Sequence, residues 1–372
     1  MFKIKTNQFD TYFFLFTCVI ILSVSGCKKK STRINIPTDY KPVKILRFER
    51  DLFAVDTNDL QNGLRNVYKK YGQFYISFAR EMLQFKPYPD DSLFIRPMSM
   101  VVTYRPFRNL QKTVDSSFGE MKEISEQLGL ANAIYKQEFP KATEPEYITF
   151  VSEYSFGNVT FDHLIGIGLD MFMNDKLAKN YRALEFPEFM IKKLRKEYVV
   201  PNTVKSLGIS RFEEETARDK RFIATMIFEG KIRYFMQSLM PDAPDSIIMG
   251  YSAKQMQWCY DNEGEMWAHF MEKNLLYKDN QQEYMRYFND GPFTSADGVP
   301  NESAPAVAVF TGWQIVKKYM DENPNITLQQ LMFEKDFDKI LKGSKYRPCF
   351  LFFLSFTVCK YTKIKIFNNL KI

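Results

Sequence analysis

The sequence predicts an α+β fold that is mainly helical, with the helices packed around a small β-sheet. Three observations carry that expectation. Apolar residues recur at three- and four-residue spacing through most of residues 46–348. Only one stretch, between 147 and 173, is β-branched, aromatic and apolar in short runs. Capping residues, glycines and prolines punctuate the periodic segments where helices should begin and end.

Taken in order, a first helix is bounded by Asn58 as cap and Gly72 as stop, with Leu60, Leu64, Val67, Tyr68 and Tyr71 at helical spacing. Residues 107–139 hold further helices: Phe118, Met121 and Leu128 suggest one face, Gly129 a break and Pro140 an end. YITFVS (147–152) and LIGIGLDMFM (164–173) are expected as two antiparallel strands, joined by the turn-rich loop EYSFGNVTFDH. Gly166 and Gly168 weaken the second strand or mark a close backbone approach. Asp170 is placed to cap the turn that follows.

FPEFMIKKLRKEYVV is expected as a helix closed by Pro201, and a longer one carrying Phe222, Met226, Ile227, Phe235 and Leu239 is stopped by Pro241. Ser252 and Gln255 form a capping box. It opens a helix on which Cys259, Glu263, Met266, Trp267 and Phe270 share a face. A helix from Ala306 to Met320 follows, and Thr327 with Gln330 makes a second box.

The two ends are of another kind. Lys3 and Lys5 precede an apolar run of 13 residues, Tyr12 to Val24. A membrane-spanning helix needs about 20 residues, so the run has the length of a signal peptide. Val24-Ser25-Gly26-Cys27 resembles the bacterial lipobox, in which the cysteine becomes the lipidated first residue. KKKSTRINIPTDYKPVK then reads as a flexible basic tether, able to reach on the order of 60 Å. At the far end, CFLFFLSFTVCKYTKIKIFNNLKI has too short an apolar core to span a bilayer. Its Phe, Ile, Lys and Asn content is that of a frameshift or missed stop near Pro348, with an interfacial docking segment as the alternative.

Charge and cysteine content narrow the classes. Of the net +7, seven positive charges lie in residues 342–372 and one in the leader, leaving about −1 for residues 27–341. The body therefore lacks the basic footprint of a nucleic-acid binder. Of the five cysteines, Cys18 falls in the leader, Cys27 in the lipobox, and Cys349 and Cys359 in the tail. Cys259 has no partner in the body, so packing and not disulfides must hold it together.

No HExxH, GxSxG, P-loop or CxxC signature is present. Two histidines, His163 and His269, are too few for a histidine-rich zinc site, though both with a carboxylate would make three ligands. Glu229 and Glu263 sit on otherwise apolar helices, where a carboxylate is costly unless paired. Lys192, Arg195, Lys231 and Arg233 are candidate partners, and a carboxylate pair for acid–base work is the functional alternative. No cofactor is expected.

Several segments together resemble the gliding motility lipoprotein GldB family of the Bacteroidetes. They are the lipobox, YITFVSEYSFGNV, IGIGLDMFM, FPEFMIKKLRKEYVVPN, IFEGKIRYF, GYSAKQMQWCYDNEGEMWAHF, PFTSADGVPNESAPAVAVFTGWQIVKKYM and KGSKYRP. The resemblance covers about residues 20–348, and the tail departs from it. It divides the chain into a leader (1–26), a tether (27–45), a single GldB-like domain (46–348) and an aberrant tail (349–372). It implies a lipoprotein of the gliding machinery, facing the periplasm from an envelope membrane and acting with other motility lipoproteins and envelope proteins.

The family is also distantly similar to zincin-type metallopeptidases. That similarity implies a degenerate zincin-like fold in which LRKEYVV stands where HExxH would lie. Lys196 and Val200 would replace the histidines, Glu197 the general base, and Glu229 would match a later glutamate ligand.

Two functions follow. The first is a non-catalytic binding or assembly component, with the loop FTSADGVPNESAP (293–305) as binding segment. Phe293, Asp297, Asn301, Trp267 and Trp313 are its candidate contact residues. The second is a residual or degenerate metal-dependent hydrolase using Glu229, Glu263, His163 or Glu197 in a cleft beside the strands. A transport or chaperone lipoprotein, a third reading, predicts a large apolar cavity.

Overall fold

The computed structural model describes residues 34–213 and 219–348. The leader, Cys27 and the tail lie outside the described residues. The chain divides after Ile36, and the unit that begins at Pro37 carries the fold.

The sheet is small and mixed. Its strands are β1 (Ile45–Arg47), β2 (Glu146–Phe150), β3 (Asn158–Phe161) and β4 (Leu164–Gly168), in the order β1-β2-β4-β3. β1 and β4 both run parallel to β2, with Ile148 opposite Gly166, and β3 is antiparallel to β4. The two expected strands are therefore neighbours, but parallel. The antiparallel partner of β4 lies inside the stretch expected as a loop. β3 carries little apolar signal because it is an edge strand, half-buried or exposed along its length. The glycines of β4 mark close approach: a Cβ on Gly168 would stand 1.9 Å from the Phe156 carbonyl oxygen, and one on Gly166 would stand 2.5 Å from Val159.

Helices make up most of the rest. Before β2 come α1 (Phe48–Phe53), α2 (Leu60–Tyr71), α3 (Gln73–Ser77), α4 (Ile95–Thr103), α5 (Arg105–Phe118) and α6 (Lys122–Glu138). After β4 come α7 (Asn174–Ala183), α8 (Val199–Phe212), α9 (Phe222–Leu239), α10 (Asp245–Met249), α11 (Ala253–Asp261) and α12 (Glu263–Glu272). The last three are α13 (Val307–Glu322), α14 (Leu328–Phe333) and α15 (Phe337–Ser344). Both capping boxes form, at Ser252 with Gln255 and at Thr327 with Gln330.

Four boundaries differ from expectation. Asp59, not Asn58, caps α2 through the Asn62 N–H. Gly129 does not break α6 but lies within it, where a Cβ would meet the Lys41 carbonyl oxygen at 2.3 Å. The incoming chain is already fixed there, and the Val43 N–H bonds the Ser125 carbonyl at 3.1 Å. Pro201 does not close a helix; it occupies the first turn of α8, where the missing N–H costs no hydrogen bond. The segment after Ser252 divides at Asn262 into α11 and α12.

The core centres on α9 and α13, both buried on nearly every side. They cross glycine on glycine. A Cβ on Gly230 would stand 2.3 Å from the Gly312 carbonyl, and one on Gly312 would stand 1.9 Å from the Met226 carbonyl oxygen. Backbone cannot yield as a side chain can. Gly312→Ala is therefore expected to destabilise the protein by about 3 kcal/mol, read as a lower urea midpoint. Gly72→Ala, at φ +52° and ψ −125° with no atom within 4 Å of the new methyl, is expected to cost about 1–3 kcal/mol through backbone strain alone.

Candidate functional site

Glu229 lies on α9, one residue from the glycine crossing, and is partly exposed. Arg233, one helical turn on, donates to it at 2.7 Å. Of the four cations considered as partners, Arg233 takes this role. Lys231 donates to the Glu334 carbonyl at 2.9 Å, and Arg195 pairs with Glu197. Glu229 also lines an open cleft of about 750 Å³. Thr160 of β3, Asp162 of the β3–β4 turn and Arg211 of α8 are on its other walls. Its lining side chains are mostly polar or charged in type, with their aliphatic portions supplying about half of the surface.

His163 stands in the same β3–β4 turn. Its Nδ1 is 2.8 Å from Asp162 Oδ2 and its Nε2 is 3.8 Å from Glu146. The structure thus brings Glu229 and the turn that carries His163 to one cleft.

The LRKEYVV segment is not one helix. Lys196–Tyr198 form a 3-10 turn, and Val199 begins α8. Lys196 is exposed beside the Phe118 ring, Glu197 is held by Arg195, and Val200 is buried in the core. An ammonium and an isopropyl group do not fit a metal. Among the described residues, no group of three or more His, Cys, Asp or Glu side chains is placed to hold a metal ion.

On α12, Glu263 and Trp267 are one turn apart and both meet Tyr346 of the SKYRP segment. The Tyr346 hydroxyl donates to Glu263 at 2.8 Å, and its ring is edge-on to Trp267. Burial pushes both the Glu263 carboxyl and the Tyr346 hydroxyl up from their ordinary values.

His269, further along α12, lies 2.9 Å from the Tyr287 hydroxyl. Desolvation pushes its imidazole down. Gly298, at φ +83°, rests against this histidine. Gly298 is near the tip of the 293–305 loop, whose base is closed by the Thr294 N–H and hydroxyl on the Ala304 carbonyl. The loop is therefore built, not loose. Asp297 and Asn301 are exposed, and Phe293 and Trp267 half-buried. Trp313 is fully buried with Lys317 over its ring, so it has no surface to offer a partner.

The family model described as gliding motility protein GldB matches residues 27–348, from Cys27 to Pro348. The chain belongs to the GldB family. No curated protein and no solved structure matches it. Among the described residues, no helix is long and apolar enough to cross a membrane.

The sequence reading missed one feature of this GldB-family chain. Asp170 does not cap the turn that follows it. Its carboxylate points back and accepts the N–H groups of Ser152, at 3.3 Å, and Tyr154, at 2.6 Å. Glu153 and Tyr154 both have positive φ, +50° and +69°, a conformation unfavourable for side chains with a Cβ. The buried carboxylate thus anchors the turn that leaves β2. The available signal was one acid ending an apolar strand, LIGIGLD.

Burial pushes the Asp170 carboxyl up to about 7, against the pull of those N–H groups. Its folded value lies above its unfolded one, so its stabilisation is complete below about pH 4 and is lost as pH rises through 7. Asp170→Asn is expected to remove about 2–4 kcal/mol of the wild type's decline between pH 4 and 8, read from urea midpoints at each pH.

Proposed function

We propose that the chain is a lipid-anchored component of the gliding motility machinery, facing the periplasm, and that it acts by binding and not by catalysis. One observation carries this reading. The family match begins at Cys27, the residue at which Val24-Ser25-Gly26-Cys27 ends a signal-length apolar run. Acylation at that thiol would retain the body at the membrane, each buried CH2 contributing about 0.8 kcal/mol and more than one chain giving stable anchoring. The basic segment after Cys27 would then serve as the tether, shorter than the 27–45 read from sequence, since the chain from Pro37 belongs to the folded unit and Val43 is already bonded to Ser125.

The non-catalytic reading is supported by the state of the side chains that chemistry would need. Glu229 is held by Arg233, Glu197 by Arg195 and Glu263 by Tyr346. Binding is supported by the 293–305 loop, which presents Asp297 and Asn301 to solvent on a hydrogen-bonded frame. The partners proposed are other motility lipoproteins and envelope proteins.

Cys27→Ser tests the anchor. The variant is expected to keep its leader, to leave the acylated membrane fraction and to abolish gliding. A variant that fractionates and glides like wild type would overturn the reading.

A further inference from the structure

α4 carries large apolar side chains on its outer face as well as on its buried one. Met98, Val101 and Val102 pack inward. On the outer face Arg96, Met100 and Tyr104 follow at one-turn spacing, where a surface helix normally shows polar or charged residues. Met100 is 64% exposed and Tyr104 54%. Tyr88, itself exposed, lies under the Arg96 guanidinium at 5.3 Å.

The corner between α4 and α5 is held in place by hydrogen bonds. The Tyr104 N–H donates to the Met100 carbonyl at 2.9 Å, and the Tyr104 carbonyl accepts the Arg108 N–H at 3.1 Å as α5 begins. Arg108 Nη1 reaches back to the Val102 carbonyl at 2.9 Å. The Phe107 ring is edge-on to Phe53 of α1 at 5.3 Å. Thr103, Tyr104, Arg105 and Pro106 are thereby held out in solvent.

Between Asp91 and Asp115 the chain carries Arg96, Arg105, Arg108 and Lys112 and no acid. Arg96 is paired with Asp90, and Asp115 is taken by Arg50. Arg105 is exposed and, among the described residues, makes no ion pair. It stands in the first turn of α5, the end of a helix that disfavours a cation. Stability of the fold accounts neither for this arginine nor for the exposed methionine and tyrosine beside it. In a body of about −1 overall, the corner is an apolar spot with surplus positive charge around it.

We propose that the α4–α5 corner seats the body on an anionic membrane surface, with Met100 and Tyr104 at the level of the headgroups and Arg105 among their phosphates. This contact rests on the anchor at Cys27. Residues 27–36 can span at most about 35 Å, so an acylated chain would keep the folded unit beside the bilayer. Within that unit the chain passes Gly119, whose carbonyl accepts from Arg47, at the far end of α5. The corner is one helix length away, about 20 Å. Tyrosine suits the interface, having an apolar ring and a polar tip, and arginine is drawn to anionic headgroups. An acidic protein would match the charge equally well; the anchor favours the membrane, because that is the surface it brings within reach.

Hydroxyl-radical footprinting of the acylated full chain, reconstituted in vesicles, tests the contact. Vesicles of phosphatidylcholine alone are compared with an equal mixture of phosphatidylcholine and phosphatidylglycerol. Oxidation of Met100 and Tyr104 is expected to fall about fivefold in the anionic vesicles. Met271 and Tyr277, 44% and 61% exposed, are expected to react alike in both. Arg105→Glu is expected to restore oxidation at Met100 and Tyr104 and to keep or raise Tm, since it removes a cation from a helix N-terminus. Equal oxidation at the corner in both vesicles, protection retained by Arg105→Glu, or protection of Met271 and Tyr277 in its place overturns the proposal. So does protection seen only in native envelope fragments, which would assign the corner to a protein. Intact mass of the same sample separates the two claims. A chain without acyl groups overturns the anchor and this proposal with it, whereas an acylated chain with an unprotected corner overturns this proposal alone.

Discussion

The contact between Gly230 of α9 and Gly312 of α13 sets the geometry of the body. The two backbones touch, with no room for a methyl group on either side. That closeness lets two helices that are apolar on nearly every face pack at the centre of the fold. It also fixes the rotation of α9. Met226 and Gly230, one turn apart, face α13. On α13 the same constraint buries Trp313 and lays Lys317 over its ring at 3.3 Å, with Asp245 3.2 Å from the ammonium. Acids and bases that look misplaced on apolar helices are thereby positioned in pairs.

Buried polar groups tie the small sheet to the helices in the same manner. Glu49, 1% exposed, accepts from Arg47 at 2.6 Å and from the Thr149 hydroxyl at 2.7 Å, so α1 is fastened to β2. Asp170 fastens the turn after β2 to the end of β4. Each carboxylate would be costly alone and is retained because its lone pairs are used. Together they hold a four-stranded sheet with two very short or exposed outer strands in one register.

What could be read in the sequence was the chemistry that acts over a few residues. The capping boxes at Ser252 and Thr327 formed because a side chain three residues away supplies the partner. The helical majority and the one sheet region followed from periodicity. Non-local contacts were not legible. β1 is three residues long, β3 is an exposed edge, and the parallel pairing of β2 with β4 depends on where the chain returns. Gly129 looked like a break because the Lys41 carbonyl that demands it lies far away in sequence. Pro201 was legible as a helix boundary, but not as a start. At the candidate sites, the suspicion that Glu229 needs a cation was sound and its partner was among those named. Trp313 as a contact residue was not, since only the fold shows which tryptophan is inside.

The family assignment and the body's architecture describe a helical unit whose ionisable groups position helices, and the proposed role adds attachment by its N-terminal end to a membrane. The claim on which that role rests is the acylation of Cys27. Intact-mass analysis of the mature protein from its native membrane tests it most directly. The account predicts an N-terminus at Cys27 carrying the added mass of acyl chains. A mature chain that retains residues 1–26, or begins at an unmodified Cys27, would contradict it.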